Sequence, residues 1–388
     1  MQKINLKKKL KFIILILILL IFSIELVLRL LNIEYPIFQK HDEIKGFSLL
    51  ENSSGTWRRE GKGKVRINSD GLRDIEHDLI KPNNSIRIAV LGDSFAEARS
   101  VNINETFWFK LKNNLEFCNN FHKNKKIEVI NFGVTEYGTT QQYLTLKNNV
   151  WKYDPDLVIL AFYSGNDISD NVKSLSKKKY RPYFTFNNGS VSVDKTFLET
   201  EPYKLLSSFS GKTFINLSQY FRSLQLLREA YVQMYFKRLK KDKKLINDKK
   251  SNKFTVYNPG NSTWLEGWLI TERIIKMINS EILKNNKEFI LVSLSTPIQV
   301  HPIKKKLDDF KNENNINDIF YPDKRLNEFS KKNSIKFIQI AQQMRSIAVK
   351  DKVFFHGFEN TNLGSGHWNE TGHEIASKLI SEKICNFY

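Results

Sequence analysis

The sequence predicts an α/β domain: a mainly parallel sheet of five strands, helices on both faces, a helical insertion, and one N-terminal transmembrane helix. Three observations carry this. Five short apolar runs, rich in Val and Ile, alternate with stretches of helical periodicity, the pattern of parallel strands joined by crossover helices. Between the third and fourth runs lie about 115 residues, Asn171 to Asn286, too many for a plain crossover. Finally, a lysine cluster is followed by a long apolar run beginning at Phe12.

At the N-terminus, Lys3, Lys7, Lys8, Lys9 and Lys11 precede the run from Phe12 to Ile24, which continues less purely to Leu31. A helix over Leu10–Leu31 would reach roughly 33 Å at ~1.5 Å per residue, enough to cross a bilayer. Glu25 and Arg29, four residues apart near its outer end, can pair or snorkel. A cleaved signal peptide wants small residues after the run, yet no glycine occurs before Gly46 and no alanine before Ala89. The reading is therefore a retained anchor, residues 1–33. Its lysines place the N-terminus in the cytoplasm and the remainder in the periplasm or outside the cell, as a single-pass membrane protein.

The exported part opens with an irregular, partly β lead-in, residues 34–85, containing Gly46, Gly55, Gly61, Gly63 and Gly71. The main domain follows over 86–388. Its strands are read at Ile86–Leu91, Ile127–Asn131, Leu157–Phe162, Phe289–Leu294 and Ile335–Ile340. Helical pattern between them covers Glu105–Phe117, Thr140–Val150, Trp264–Leu283 and Asp323–Lys332. The insertion, about 171–286, holds one strongly helical stretch, Asn216–Lys241, with Tyr220, Phe221, Leu224, Leu227, Tyr231, Met234 and Tyr235 along its surface. A basic run, Lys237–Lys250, overlaps its end. Either this is a helical subdomain whose aromatics form their own core, or it is a lid or membrane-surface element.

Composition narrows the classes further. The chain has 388 residues, of which 41% are apolar and 26% charged, so disordered, collagen-like and polytopic membrane classes are excluded. A net charge of +20 makes polyanions plausible partners, among them anionic envelope polymers or lipid headgroups. No nucleic-acid-binding motif is visible, and nucleic acid is not expected as a partner. Two cysteines are too few for a disulfide scaffold or a zinc ribbon.

Candidate chemistry collects where such sheets place it, at the carboxyl ends of strands. The first strand ends in Leu91-Gly92-Asp93-Ser94-Phe95, presenting Ser94 on the turn into a helix. A Gly-x-Ser-x-Gly elbow is absent, which argues against an ordinary α/β-hydrolase. The second strand ends in Asn131-Phe132-Gly133-Val134, where a glycine lets its backbone N–H approach an oxyanion. After the third comes Ser164-Gly165-Asn166-Asp167, offering the Asn166 amide to the same place. Past the fifth lies Gly364-Ser365-Gly366-His367-Trp368-Asn369, followed by Glu370-Thr371-Gly372-His373. Asn369 can cap the last helix, leaving His367 on the preceding loop and His373 inside the helix as a structural residue. His373-Glu374 has no second histidine one turn on, so a zinc helix is not indicated. No metal and no cofactor is expected.

These four segments resemble the conserved blocks of the SGNH hydrolase superfamily, the GDSL esterases, over roughly residues 86–167 and 287–384. The resemblance implies a flavodoxin-like five-stranded parallel sheet and hydrolysis of ester bonds. It implies Ser94 as nucleophile, Gly133 and Asn166 as oxyanion donors, and His367 as general base. The His-Trp-Asn-x-x-Gly-His wording is similar to membrane-anchored envelope members acting on acylated glycans, some of which transfer acetyl groups. The expected substrate is an acyl ester of an envelope glycan or lipid, with an O-acetyltransferase or a catalytically silent glycan-binding protein as alternatives. One departure stands out: the family's aspartate two or three residues before the histidine is here Ser365 or Gly364. A backbone carbonyl, Ser365 or a more distant acid such as Glu359 would then have to orient His367.

Cys118 follows the first core helix and Cys385 ends the last one. In a flavodoxin-like sheet these helices share a face, so a bridge is open to them outside the cytoplasm, as is the alternative of two buried thiols.

Overall fold

A computed structural model describes residues 6–176, 178, 180–187, 190–243, 253–260 and 263–388. The first helix, α1 (Leu6–Leu30), contains the Lys8–Leu30 segment, long and apolar enough to cross a membrane. Two antiparallel hairpins follow, β1 (Gln39–Asp42) with β2 (Gly46–Leu49), and β3 (Ser54–Trp57) with β4 (Gly63–Arg66). These make up much of the lead-in.

The five expected strands all form, as β5 (Ser85–Gly92), β6 (Lys126–Asn131), β7 (Leu157–Phe162), β10 (Glu288–Ser293) and β11 (Lys336–Gln339), with a β8–β9 hairpin between β7 and β10. They make one sheet in the order β11-β10-β7-β5-β6, every pair parallel. In order of appearance that is second, first, third, fourth, fifth, the flavodoxin-like arrangement. Alternation along β5 sends Ile88 and Val90 to one core and Ala89 and Leu91 to the other. The first core receives α3 (Phe107–Leu115) and the last helix, Glu370–Cys385; the second receives the 263–284 helix through Trp264 and Trp268. Between β5 and α3 lies the one-turn helix α2 (Ser94–Glu97).

Because α3 and the last helix run side by side, their C-terminal ends meet. Cys118 and Cys385 are bridged there, with Cα atoms 5.7 Å apart. The open choice between bridge and free thiols resolves to the bridge.

The insertion departs from expectation in three ways. It contains the hairpin β8 (Tyr183–Asn187) and β9 (Ser190–Asp194), which the helical reading missed. The long helix is broken, into 209–218 and 222–243, with a corner at 219–221. Most of its apolar residues do not make a core: Tyr220, Phe221, Leu227, Tyr231 and Met234 are exposed and Leu224 is half-buried, while the side chain of Tyr235 lies outside those described. Only part of the Lys237–Lys250 run is described; residues 244–250 lie outside the described residues.

The corner is joined to α1. Glu25 accepts hydrogen bonds from the backbone N–H groups of Arg222 (3.1 Å) and Ser223 (2.9 Å), so a residue of the apolar helix caps the 222–243 helix. Arg29 pairs with Glu25 at 2.8 Å, as its spacing predicts, and also reaches the Tyr220 carbonyl.

Candidate active site

Strand β5 delivers Ser94 directly. Asp93 caps α2 by accepting the Phe95 N–H at 2.9 Å, and Ala98 ends the turn in the left-handed region at φ 52°. Phe95 is buried against Tyr163, His367 and Trp368, fixing the turn from beneath. The Ser94 hydroxyl is therefore held at the sheet's carboxyl edge.

His367 arrives on the loop before the last helix. Asn369 caps that helix by accepting the Gly372 N–H at 2.9 Å and anchors the loop by donating to the Phe354 and Gly357 carbonyls. Trp368, fully buried, donates its indole N–H to Ser295 Oγ at 2.9 Å. His356 donates from Nδ1 to the Gly366 carbonyl at 2.8 Å; burial pushes its pKa down to about 3, so it is a neutral brace. With these constraints, His367 Nε2 lies 2.8 Å from Ser94 Oγ, where it accepts the hydroxyl proton.

The other ring nitrogen finds a carboxylate that sequence reasoning missed. His367 Nδ1 donates to Glu60 Oε2, and the His367 backbone N–H donates to Glu60 Oε1 at 2.7 Å. Glu60 belongs to the β3–β4 hairpin loop, 307 residues from the histidine. The orienting groups named from the sequence are displaced: Ser365 Oγ donates to the Asn362 carbonyl, and Glu359 makes no bond to the ring. A glycine at 366 is required by this approach. Its φ is +76°, and a Cβ there would stand 2.0 Å from Glu60 Oε1. Asn360 holds the loop from the far side, accepting the Gly61 N–H at 2.9 Å and donating to the Arg58 and Gly61 carbonyls. Arg59 pairs with Glu229 of the 222–243 helix.

Electrostatics follow from this chain. Burial disfavours the His367 imidazolium, but the hydrogen bond and charge of Glu60 outweigh it and hold the ring above its ordinary value. Burial likewise opposes ionisation of Glu60, yet its bonds to His367 keep it below the usual carboxylate range. Beneath Ser94 sits a second acidic pair. Burial pushes Asp93 up to about 6, and burial with the charge of Asp93 pushes Asp167 well up.

Asn166 borders the same cavity as Ser94 and His367, with its side chain beside Asp93. Gly133 does not fit the role expected of it. Its N–H is donated to Asn131 Oδ1 at 2.9 Å, and the residue does not border the cavity. A Cβ at 133 would stand 2.4 Å from Ala96 Cβ, so this glycine lets the β6 loop pack onto α2. His373 is buried and accepts the Phe107 N–H at Nδ1 (3.2 Å), the structural part expected of it.

The cavity measures about 560 Å³. Its lining combines the polar Ser94, Asn166, Thr296, Ser365 and His367 with the apolar surfaces of Tyr163, Phe254, Val256, Tyr257, Ile298 and Phe310. Phe254, Val256 and Tyr257 come from the insertion.

No family model matches the chain, and no curated protein does. Among solved structures it is similar to the acetyl xylan esterase AlAXEase at 12% identity, covering 78% of this chain and 99% of that one, with a TM-score of 0.36. A GDSL-like lipase from Bacteroides thetaiotaomicron matches at 13% identity, 78% and 89% coverage, and TM-score 0.33. An acetyl xylan esterase from Geobacillus stearothermophilus matches at 9% identity, 79% and 97% coverage, and TM-score 0.36. At such identities and scores the functional reading rests on the site's own geometry.

Proposed function

We propose that the chain is a membrane-anchored serine esterase or deacylase of the SGNH type, cleaving an acyl ester of an envelope glycan or lipid outside the cytoplasm. The observation that carries this is the unbroken chain Ser94–His367–Glu60 at the mouth of a partly apolar cavity. His367 takes the Ser94 proton as Oγ attacks the ester carbonyl, and Glu60 holds the ring in the required tautomer and stabilises the imidazolium. The Ser94 backbone N–H and the Asn166 amide receive the oxyanion. His367 then returns the proton to the leaving alcohol, and water or a sugar hydroxyl releases the acyl group by the reverse sequence.

A transferase reading has one observation in its favour. The apolar wall of Phe254, Val256, Tyr257, Ile298 and Phe310 shields an acyl-enzyme from water and leaves room for an organic acceptor. The silent-binding alternative loses its support, because it rested on a missing acid and Glu60 fills that place. Retention of α1 as an anchor is supported by the Glu25 cap, since cleavage would remove a partner of the 222–243 helix. The Cys118–Cys385 bridge favours an oxidising compartment.

The test is hydrolysis of p-nitrophenyl acetate by the full chain in nanodiscs, with labelling of Ser94 by a fluorophosphonate. Neither turnover nor labelling would end the esterase reading. Partition of the acyl group between water and added oligosaccharide then separates hydrolase from transferase.

A further inference from the structure

The 222–243 helix exposes several apolar side chains while burying two polar ones. Gln225 and Glu229 are buried on its inner face, where Gln225 accepts the Tyr35 N–H at 2.9 Å and Glu229 pairs with Arg59. On the opposite face Leu227, Tyr231 and Met234, spaced i, i+4, i+7, are exposed, Tyr231 at 65%. At the corner Tyr220 is 71% exposed, and on the two preceding helices Phe209 is 88% exposed and Leu205 66%. A run of exposed aromatic and aliphatic side chains of this kind marks a surface for interaction.

The position of α1 says what covers it. If α1 spans the bilayer, the twenty residues Phe12–Leu31 match a hydrocarbon core of about 30 Å. Glu25, six residues before Leu31, then lies roughly 9 Å beneath the outer boundary. A carboxylate at that depth must find partners inside the protein. It does: Arg29, and the N–H groups of Arg222 and Ser223. Arg222 also donates to the Leu28 carbonyl at 3.0 Å, and Arg29 to the Tyr220 carbonyl at 2.6 Å. The corner at 219–223 is therefore carried to the depth of Glu25.

We propose that the corner at Tyr220 and the exposed Leu227, Tyr231 and Met234 of the 222–243 helix are seated in the outer leaflet of the bilayer that α1 crosses. The occupant is phospholipid: acyl chains around the corner and headgroups along the 222–243 stripe. Tyr220 and Tyr231, with apolar rings and polar tips, suit that boundary. The hydrolase domain is then fixed on the membrane by two elements instead of swinging from a single tether. Through the Glu229–Arg59 pair the seated helix also touches the loop that carries Glu60. The inference rests on the reading of α1 as a retained anchor.

Nitroxide labels on the full chain in phosphatidylcholine–phosphatidylglycerol nanodiscs test it, because the native cysteines are bridged and leave introduced thiols free to react. The sites are Tyr220→Cys, Tyr231→Cys, Leu17→Cys within α1, and Ile80→Cys, an exposed residue just before β5. Power saturation with oxygen and with a water-soluble nickel chelate reads depth, and ester hydrolysis by each variant confirms folding. Expected are lipid-like accessibility at Leu17 and Tyr220, boundary values at Tyr231, and aqueous values at Ile80. Leu17 in lipid with Tyr220 and Tyr231 as aqueous as Ile80 would overturn the seating alone. Leu17 in water would overturn the anchor as well. Dipolar broadening between labels at Tyr231, with exclusion of both relaxants, would assign the face to a second copy of the chain and overturn the lipid.

Discussion

Ser94 and Glu60 reach the same histidine from two very different regions. Ser94 stands at the end of β5, a central strand buried on both faces, on a turn held by the Asp93 cap and the Phe95 ring. Glu60 hangs from a hairpin loop outside the sheet, held by Asn360, Arg59–Glu229 and a glycine at 366 that leaves room for its carboxylate. The serine's place is set by local structure, so it is written in a few contiguous residues. The acid's place is set by packing between distant segments.

The largest effect should come from the region the two share. Ser94→Ala and His367→Ala should each lower kcat by on the order of 10⁴-fold or more, and the double variant should be little worse, because the pair acts as a unit. Ser94→Ala should leave the melting temperature nearly unchanged, since a small hydroxyl at the cavity mouth contributes little packing. Additive losses in the double variant would mean that the two residues do not work on one proton.

Next is the acid itself. Glu60→Gln should cost about 10²–10⁴-fold in kcat, within the range seen when an orienting carboxylate becomes an amide. The pH profile distinguishes this from loss of fold. His367 must be neutral to act as base, and Glu60 raises its pKa. The acidic limb of kcat/KM should therefore lie above the ordinary histidine value of about 6.5 and move to lower pH in Glu60→Gln. Gly366→Ala, whose Cβ would displace the carboxylate, should reproduce both changes. An unmoved limb would remove Glu60 from the chain. Ser365→Asp should bring no gain, because the ring's Nδ1 already has its partner.

Asn166 and Gly133 separate the oxyanion from its scaffold. Asn166→Ala should reduce kcat by about 10²–10³-fold with stability kept, the usual loss of one oxyanion donor. Gly133→Ala should act on stability, by about 1–3 kcal/mol, as its Cβ overpacks Ala96. Thermal melts alongside kinetics would read the contrast. A stable but inactive Gly133→Ala would restore that glycine to the oxyanion hole.

The sheet was legible because short runs rich in Val and Ile alternate with stretches of helical period: all five strands fall within two residues of where the sequence puts them. Ser94, Asn166 and His367 were legible because strand ends gather in space whatever the loops do. Glu60 was not. It sits in Arg59-Glu60-Gly61-Lys62-Gly63, a run that reads as a charged turn, and only tertiary contact turns it toward His367. Gly133 misled for a related reason, since spacing locates a residue without saying where its N–H is already committed. The insertion's aromatics looked like a core because periodicity shows that a face is apolar, not what it faces.

The smallest expected effect on activity concerns the bridge. Cys385 ends the helix whose other end follows the His367 loop, fifteen residues and so roughly 22 Å from Glu370. Cys118→Ser with Cys385→Ser should therefore leave kcat within a few-fold of the native value. Stability should suffer more. The bridge joins residues 267 apart, and on chain entropy such a loop contributes about 5 kcal/mol at most. For a domain of this size that corresponds to a fall in Tm on the order of 10 °C. Melts with and without reductant give the control: the native chain should fall toward the variant, and the variant should not respond. A variant that keeps its Tm but loses kcat would show that the bridge tunes the His367 loop from the far end of the helix. In that case the sheet side of the site would depend on distant packing as much as the Glu60 side does.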